Sequence, residues 1–157
     1  MRKEIRILGL LSDTHGLLRD EALRALRGSD LILHAGDVGD PTILARLGEL
    51  APVVAVRGNV DTGDWAEALP LVETVETNRA TIYMLHILQD LALDPRAAGF
   101  AMVISGHSHK HGQSQKDGVL YINPGSAGPR RFQLPATVAR LDLRAKPWKA
   151  EFLELKG

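Results

Sequence analysis

Five short clusters along the chain set metal-competent side chains beside glycine or at the end of an apolar run. They are Asp13-Thr14-His15-Gly16, Gly36-Asp37, Gly58-Asn59-Val60-Asp61, His86 alone, and Gly106-His107-Ser108-His109. Neutral imidazoles bind Zn, Mn, Fe and Ni, while carboxylates and an amide oxygen add harder ligands. The two-residue spacings of Asp13 with His15 and of His107 with His109 can aim both members of each pair the same way. A carboxylate has two oxygens, so Asp37 at a strand end can bridge two cations. Asn59 can offer a neutral carbonyl oxygen, and Asp61 can orient a neighbour or accept a proton. Taken singly, each cluster also reads as turn or cap chemistry. His34, just inside its apolar run, reads as a hydrogen-bonded structural histidine, and His111, beside Lys110, as part of a solvated loop.

The elements that must hold these groups follow from hydrophobic periodicity. Ile5 to Leu11, Leu31 to His34 and Val53 to Val56 read as buried strands, with Leu18 to Leu26 and Pro41 to Leu50 as the intervening helices. That alternation predicts parallel βαβ units. The second half changes character: Leu71 to Thr77 and Ala80 to His86 form a hairpin about Asn78, and Leu88 to Ala98 reads as a helix weakened by Asp90 and Pro95. Strands are further expected at Ala101 to Ser105, Val119 to Ile122, Thr137 to Leu143 and Ala150 to Leu155. The sum is a layered α/β domain with a mixed sheet or two packed sheets. In such sheets ligands gather beyond the carboxyl ends of strands, and all five clusters follow apolar runs. Independent turn residues have no reason to repeat that placement.

Composition narrows the chemistry further. A chain of 157 residues without a repeat or linker suits one domain over residues 1–157. It contains no cysteine, which excludes thiolate ligands, a Cys nucleophile and disulfides, and fits a reducing, cytoplasmic setting. Nineteen basic and nineteen acidic residues balance to zero formal charge, so bulk electrostatics offers no pull toward nucleic acid. The apolar run near the N-terminus is too short for a signal core or a membrane span.

The ordered set D-T-H, G-D, G-N-x-D, a lone H and G-H-S-H resembles the calcineurin-like metallophosphoesterase superfamily, in particular its small bacterial and archaeal YfcE-like phosphodiesterases. These are also similar to the retromer subunit Vps29. The resemblance runs from Asp13 to about Arg130. It implies a metallo-dependent phosphatase fold, an αββα sandwich of four layers with two facing mixed sheets. It implies one divalent metal on Asp13, His15, Asp37 and His109, and a second on Asp37, Asn59, His86 and His107, with Asp37 bridging. Mn²⁺ is the expected ion, with Fe, Zn, Ni and Co as alternatives. The reaction then expected is hydrolysis of a small phosphodiester or nucleotide-like phosphate ester by a metal-bridging hydroxide, with Asp37, Asn59, Asp61 and His107 as the catalytic set.

Asn123-Pro124-Gly125-Ser126 followed by Pro129-Arg130 resembles a family loop, and as a Pro-Gly turn it could carry amides and arginines toward phosphate oxygens or serve only as a turn. Arg130, with Asn59, is the expected substrate contact, and Arg131 a secondary one. Three positions depart from the family pattern. Val60 stands where related phosphatases have the histidine of G-N-H-E, which points to good leaving groups. Ile87 follows His86 where a glycine is common, and Asn78-Arg79 replaces a glycine turn. Two rival readings are a catalytically weak, Vps29-like interaction scaffold and a nuclease. Intact ligand positions weigh against the first, and balanced charge and short length against the second. An edge strand near Val138 or Phe152 could pair two copies of the chain.

Overall fold

The computed structural model describes residues 4–130 and 133–156. Ten strands build two five-stranded sheets. Strands β1 (Ile7–Leu11), β2 (Leu31–His34) and β3 (Val53–Ala55) run parallel, and β9 (Thr137–Asp142) and β10 (Glu151–Glu154) complete the first sheet in the order β10-β9-β1-β2-β3. The second sheet contains β4 (Val72–Glu76), β5 (Thr81–Leu85), β6 (Met102–Ile104), β7 (Gly112–Lys116) and β8 (Val119–Asn123), in the order β4-β5-β6-β8-β7. Each sheet mixes parallel and antiparallel pairs, because crossovers link β1 to β2, β2 to β3 and β5 to β6, while hairpins link β4 to β5 and β7 to β8.

Side-chain alternation explains why the sheets face one another. Leu8 and Leu10 of β1, Leu31 and Leu33 of β2, Ile82 and Met84 of β5, Met102 and Ile104 of β6, and Leu120 and Ile122 of β8 share one buried cluster between the sheets. The intervening residues point outward, since a strand has a period of two. Leu11 and Ile32 thus meet the apolar stripes of helices α1 (Asp20–Leu26) and α2 (Pro41–Gly48) through Ala22, Leu26, Ile43 and Leu47. Helix α2 begins where expected: Pro41 occupies its first turn, and the Asp40 carboxylate accepts from the Thr42 amide at 2.9 Å. A four-residue helix, α3 (Asp64–Glu67), buries Ala66 and follows the third cluster; the periodicity did not signal it.

The outer face of the second sheet corrects one expectation. Leu88 to Ala98 is not a helix; Leu88–Asp90 makes a single 3₁₀ turn and the rest is irregular. Tyr83, Leu85, Val103 and Val119 are instead covered by Leu91, Phe100 and Tyr121. A second difference concerns the sheet edge. Val138 lies on β9, paired on both sides, so only β10, with Phe152, presents an open edge there. Strand β7 was not expected, and its sequence, GQSQK, is nearly all exposed. No helix among the described residues is long and apolar enough to cross a membrane.

Candidate metal centre

The clusters converge because the parallel strands β1, β2, β3, β5 and β6 all deliver their carboxyl ends to one rim. Ligand atoms of Asp13, His15 and His109 lie within 4.8 Å of one another, as do those of Asp37, His86 and His107. Asp37 stands between the two groups. Its Oδ2 is 3.0 Å from His86 Nε2 and 3.7 Å from His15 Nε2. Asp13 Oδ1 lies 3.5 Å from His15 Nε2, 3.4 Å from His109 Nε2 and 3.8 Å from His86 Nε2.

Such crowding of buried polar atoms needs a reason, because buried groups are normally paired. Asp13 Oδ1, His15 Nε2 and His86 Nε2 are buried without a hydrogen-bond partner, His86 Nε2 standing 3.0 Å from Asp37 Oδ2. Three lone-pair atoms of the ligand type thus point into one space. A cation would satisfy all three, and an Asp-rich, His-rich donor set suits Mn, Fe, Zn, Ni or Co.

The opposite ends of the same side chains are tied down, leaving one atom of each turned toward the centre. Asp13 Oδ2 accepts from Ser12 Oγ at 2.6 Å and from the His107 amide at 3.0 Å, which leaves Oδ1 inward. Asp37 Oδ1 accepts from the Val60 amide at 2.9 Å, which leaves Oδ2 inward. His86 Nδ1 lies 2.7 Å from the Ala35 carbonyl, an acceptor only, so that nitrogen carries the proton and Nε2 keeps its lone pair. Burial works against ionising Asp37, but His86 and the Val60 amide outweigh it and hold the carboxyl below its ordinary range. Burial likewise opposes charging His86, and the neighbouring Asp37 and Asp13 outweigh that, raising its pKa.

Backbone strain is concentrated at the same place. Asp13, His15, Asp37, His107 and His109 adopt φ of 56°, 47°, 56°, 73° and 65°, and Asp117 is the one other described non-glycine residue with positive φ. That conformation costs about 1 kcal/mol per residue and persists where surrounding structure enforces it. The enforcing contacts include glycines that carry no Cβ for a reason. A Cβ on Gly58 would stand 2.1 Å from Asp37 Oδ1, and one on Gly106 would stand 2.0 Å from Ser12 Oγ. Two loops can therefore press directly onto the carboxylates.

Other singled-out residues fall around this centre. Asp61 accepts from the amides of Val38 (3.2 Å), Gly39 (2.9 Å) and Gly58 (2.9 Å), so it binds the Asp37 loop to the Asn59 loop and orients its neighbours. Asn59 is exposed and lines a cavity beside His86. Ile87 lines the same cavity and leaves His86 buried at the end of β5. His34 is fully buried: Nδ1 accepts from the Gly36 amide at 3.1 Å, and Nε2–H meets Thr14 Oγ1 at 3.0 Å. Burial lowers its pKa to about 3, with a smaller push from His86. His111 packs against Phe152, ring centroids 5.1 Å apart.

The Asn123-Pro124-Gly125-Ser126 loop proves to be a brace. Asn123 Nδ2 donates to the Gly106 carbonyl and to Ser108 Oγ, both at 3.1 Å, and Ser126 Oγ donates to the Asp13 carbonyl at 3.1 Å. The Gly125 N–H donates to Asn123 Oδ1, and just beyond the loop the Ala127 N–H donates to the Ser12 carbonyl. Arg130 is exposed at the rim, its Nη2 3.5 Å from the Leu155 carbonyl, and Arg131 lies outside the described residues. Ser12 and Asn123 are positioning residues that the sequence did not single out for that role. The only signal was their adjacency to Asp13 and to the Pro-Gly turn.

Residues 7–146 match the calcineurin-like phosphoesterase superfamily domain. A probable metallophosphoesterase of Methanothermobacter thermautotrophicus is 32% identical over 149 residues, covering 87% of this chain and 86% of that protein. Among solved structures, Chaetomium thermophilum Vps29 superposes with a TM-score of 0.81 at 17% identity, covering 96% of this chain and 89% of Vps29. A structure described as a novel archaeal phosphodiesterase gives 0.76 at 22% identity, covering 94% of this chain and 99% of that one. At those identities the structural likenesses speak for the fold alone. The match across most of the chain and the archaeal relative place this protein in the calcineurin-like phosphoesterase superfamily.

Proposed function

We propose that the chain is a phosphodiesterase that holds two divalent cations, Mn²⁺ first among them, and hydrolyses a small phosphodiester or nucleotide-like substrate. The observation that carries this reading is the convergence of Asp13 Oδ1, His15 Nε2 and His86 Nε2, buried without hydrogen bonds, around Asp37. One cation would be held by Asp13, His15, Asp37 and His109, and the other by Asp37, Asn59, His86 and His107. When bound, such cations acidify water and neutralise charge developing on phosphoryl oxygens.

The protein's own groups do the rest. Val60 N–H and Ser12 Oγ fix the two carboxylates, so no reorganisation is needed during reaction. Asn59 and Arg130, both exposed, are the side chains assigned to contact phosphate oxygens. Val60 presents no titratable group, so leaving groups of low pKa are favoured. A diester substrate class and a cytoplasmic setting belong to the same reading, the second resting on a sequence without cysteine.

The test is hydrolysis of bis-p-nitrophenyl phosphate by metal-stripped protein with Mn²⁺ added back, beside Asp37→Ala and His107→Ala. Metal-dependent turnover that falls at least a hundredfold in both variants is expected. Wild-type protein that binds Mn²⁺, Ni²⁺, Co²⁺ or Zn²⁺ yet turns over none of the ester would sink the reading in favour of an interaction scaffold.

A further inference from the structure

A cavity of about 310 Å³ opens beside His86, at the side of the molecule where the end of β3 and the start of β4 approach each other. Its walls are Leu71, Val72, Leu85 and Ile87, with Arg57, Asn59 and Asp90 at its margins. The approach is fixed by a backbone bond, Arg57 N–H to the Pro70 carbonyl at 2.8 Å, and by the pairing of Val72 with Leu85. Leu71 is 61% exposed and Val72 45%, the largest apolar exposures among the described residues. Two such side chains on the rim of a site lined with charges are out of place unless something apolar covers them.

The margins specify what that is. Arg57 is half-buried, and its guanidinium makes no ion pair or hydrogen bond among the described residues; a planar cation in that state favours the face of an aromatic ring. Asp90 is an acceptor that repels a second phosphate and welcomes N–H donors on the edge of a planar group. The volume has room for an aromatic ring system. Because His86 belongs both to this cavity and to the metal-competent cluster, and Asn59, the ligand proposed above, lines the cavity beside it, a phosphoryl group held there would direct one ester arm into the cavity.

We infer that this cleft receives an aromatic ester arm, so the substrate class is an aryl- or nucleobase-bearing phosphodiester and Leu71, Val72, Ile87 and Arg57 set the specificity. This rests on the phosphodiesterase reading above. A hydrophobic wall that separates ligands differing by one methylene does so by about tenfold or more, and a phenyl ring differs from a methyl group by several carbons.

The experiment is calorimetric binding of phenylphosphonate and methylphosphonate, neither of which can be hydrolysed, to Mn²⁺-loaded wild type and to Leu71→Ser and Val72→Ser. Both positions are exposed, so the variants are expected to fold. The expected result is at least tenfold tighter binding of phenylphosphonate by wild type. That preference should disappear in Leu71→Ser, with methylphosphonate affinity changed less than threefold. Equal affinity of the wild type for the two phosphonates, or a preference that survives both variants, would overturn the cleft assignment and leave the phosphoesterase reading standing. Failure of both phosphonates to bind the metal-loaded protein would overturn that underlying reading as well.

Discussion

His34 is the residue whose chemistry is easiest to isolate. It sits beside the candidate ligand clusters at the rim but turns its ring to the helix side, with Nδ1 accepting from Gly36 and Nε2 facing Thr14, whose hydroxyl donates to the Val38 carbonyl at 2.7 Å. Protonating Nδ1 would remove the acceptor that Gly36 N–H needs, in a place water does not reach. The folded-state pKa, about 3, therefore lies below the ordinary value of 6.5. As pH falls below 6.5 the unfolded chain takes up this proton first. The stabilising contribution is full above 6.5 and declines as pH drops toward 3, by up to about 1.4 kcal/mol per pH unit. His86, whose pKa is raised, works in the opposite sense, contributing at low pH and losing its effect as pH rises. Comparing variants separates them. In metal-free protein, His34→Gln should lower the urea-derived stability at pH 7 by about 1–3 kcal/mol and flatten its decline between pH 6.5 and 4. Parallel stability curves for the two proteins across that window would refute the buried neutral state.

At the scale of elements, Gly106 shows how loops after strands of different sheets interlock. It follows β6 in the second sheet, and the side chains that a Cβ would strike, Ser12 and Asp13, follow β1 in the first. Gly106→Ala must move one loop away from the other, since Ser12 Oγ would be 2.0 Å away and is held by Asp13 Oδ2. Overpacking of this kind costs about 1–3 kcal/mol, and a displaced supporting contact lowers metal affinity by about 10–100-fold. Gly48→Ala, near the end of α2 with nothing within 4 Å of the added carbon, should be neutral or stabilise by up to about 1 kcal/mol. Denaturant midpoints and Mn²⁺ titrations of the two variants check this, and equal behaviour would remove the interlock. The ligand-bearing loops were legible in the sequence because each follows a strand with a clear apolar pattern. Leu88, Leu91 and Leu93 mimic a helical stripe, yet Pro95 and the needs of Tyr83 and Val103 below them produce only a 3₁₀ turn and a loop. Strand β7 has no pattern to read: its residues are polar and exposed, and it exists because an Asp117-Gly118 turn folds it onto β8. Asn123 was equally silent, since Gly106 and Ser108 lie on another loop and become its neighbours only after folding, and adjacency to Asp13 alone does not reveal that the Ser12 hydroxyl turns onto that carboxylate.

For the whole molecule, the two sheets are joined by an apolar core along most of their length and by polar contacts at the rim. Asp13, His15 and Asp37 come from the first sheet, and His86, His107 and His109 from the second, so every cation held there would link the two. The unfolded chain cannot assemble such a set, because Asp13 and His107 are 94 residues apart. Binding energy is then folding energy, and a metal present at 100 times its Kd adds about 2.7 kcal/mol of stability. For a chain of this size about 1 kcal/mol moves Tm by roughly 2–4 °C. Mn²⁺ at that excess should therefore raise Tm by roughly 5–10 °C, and a chelator should reverse the rise. Asp37→Ala tests whether the effect belongs to the centre. It removes the carboxylate that groups with His86 and His107 and stands 3.7 Å from His15 of the other cluster, so its metal-free Tm can shift in either direction, but its increment on adding Mn²⁺ should fall to near zero. Thermal melts across a metal titration measure that increment independently of turnover. An increment of equal size in wild type and Asp37→Ala would locate the ion elsewhere and separate the buried, unpaired ligand atoms from metal binding.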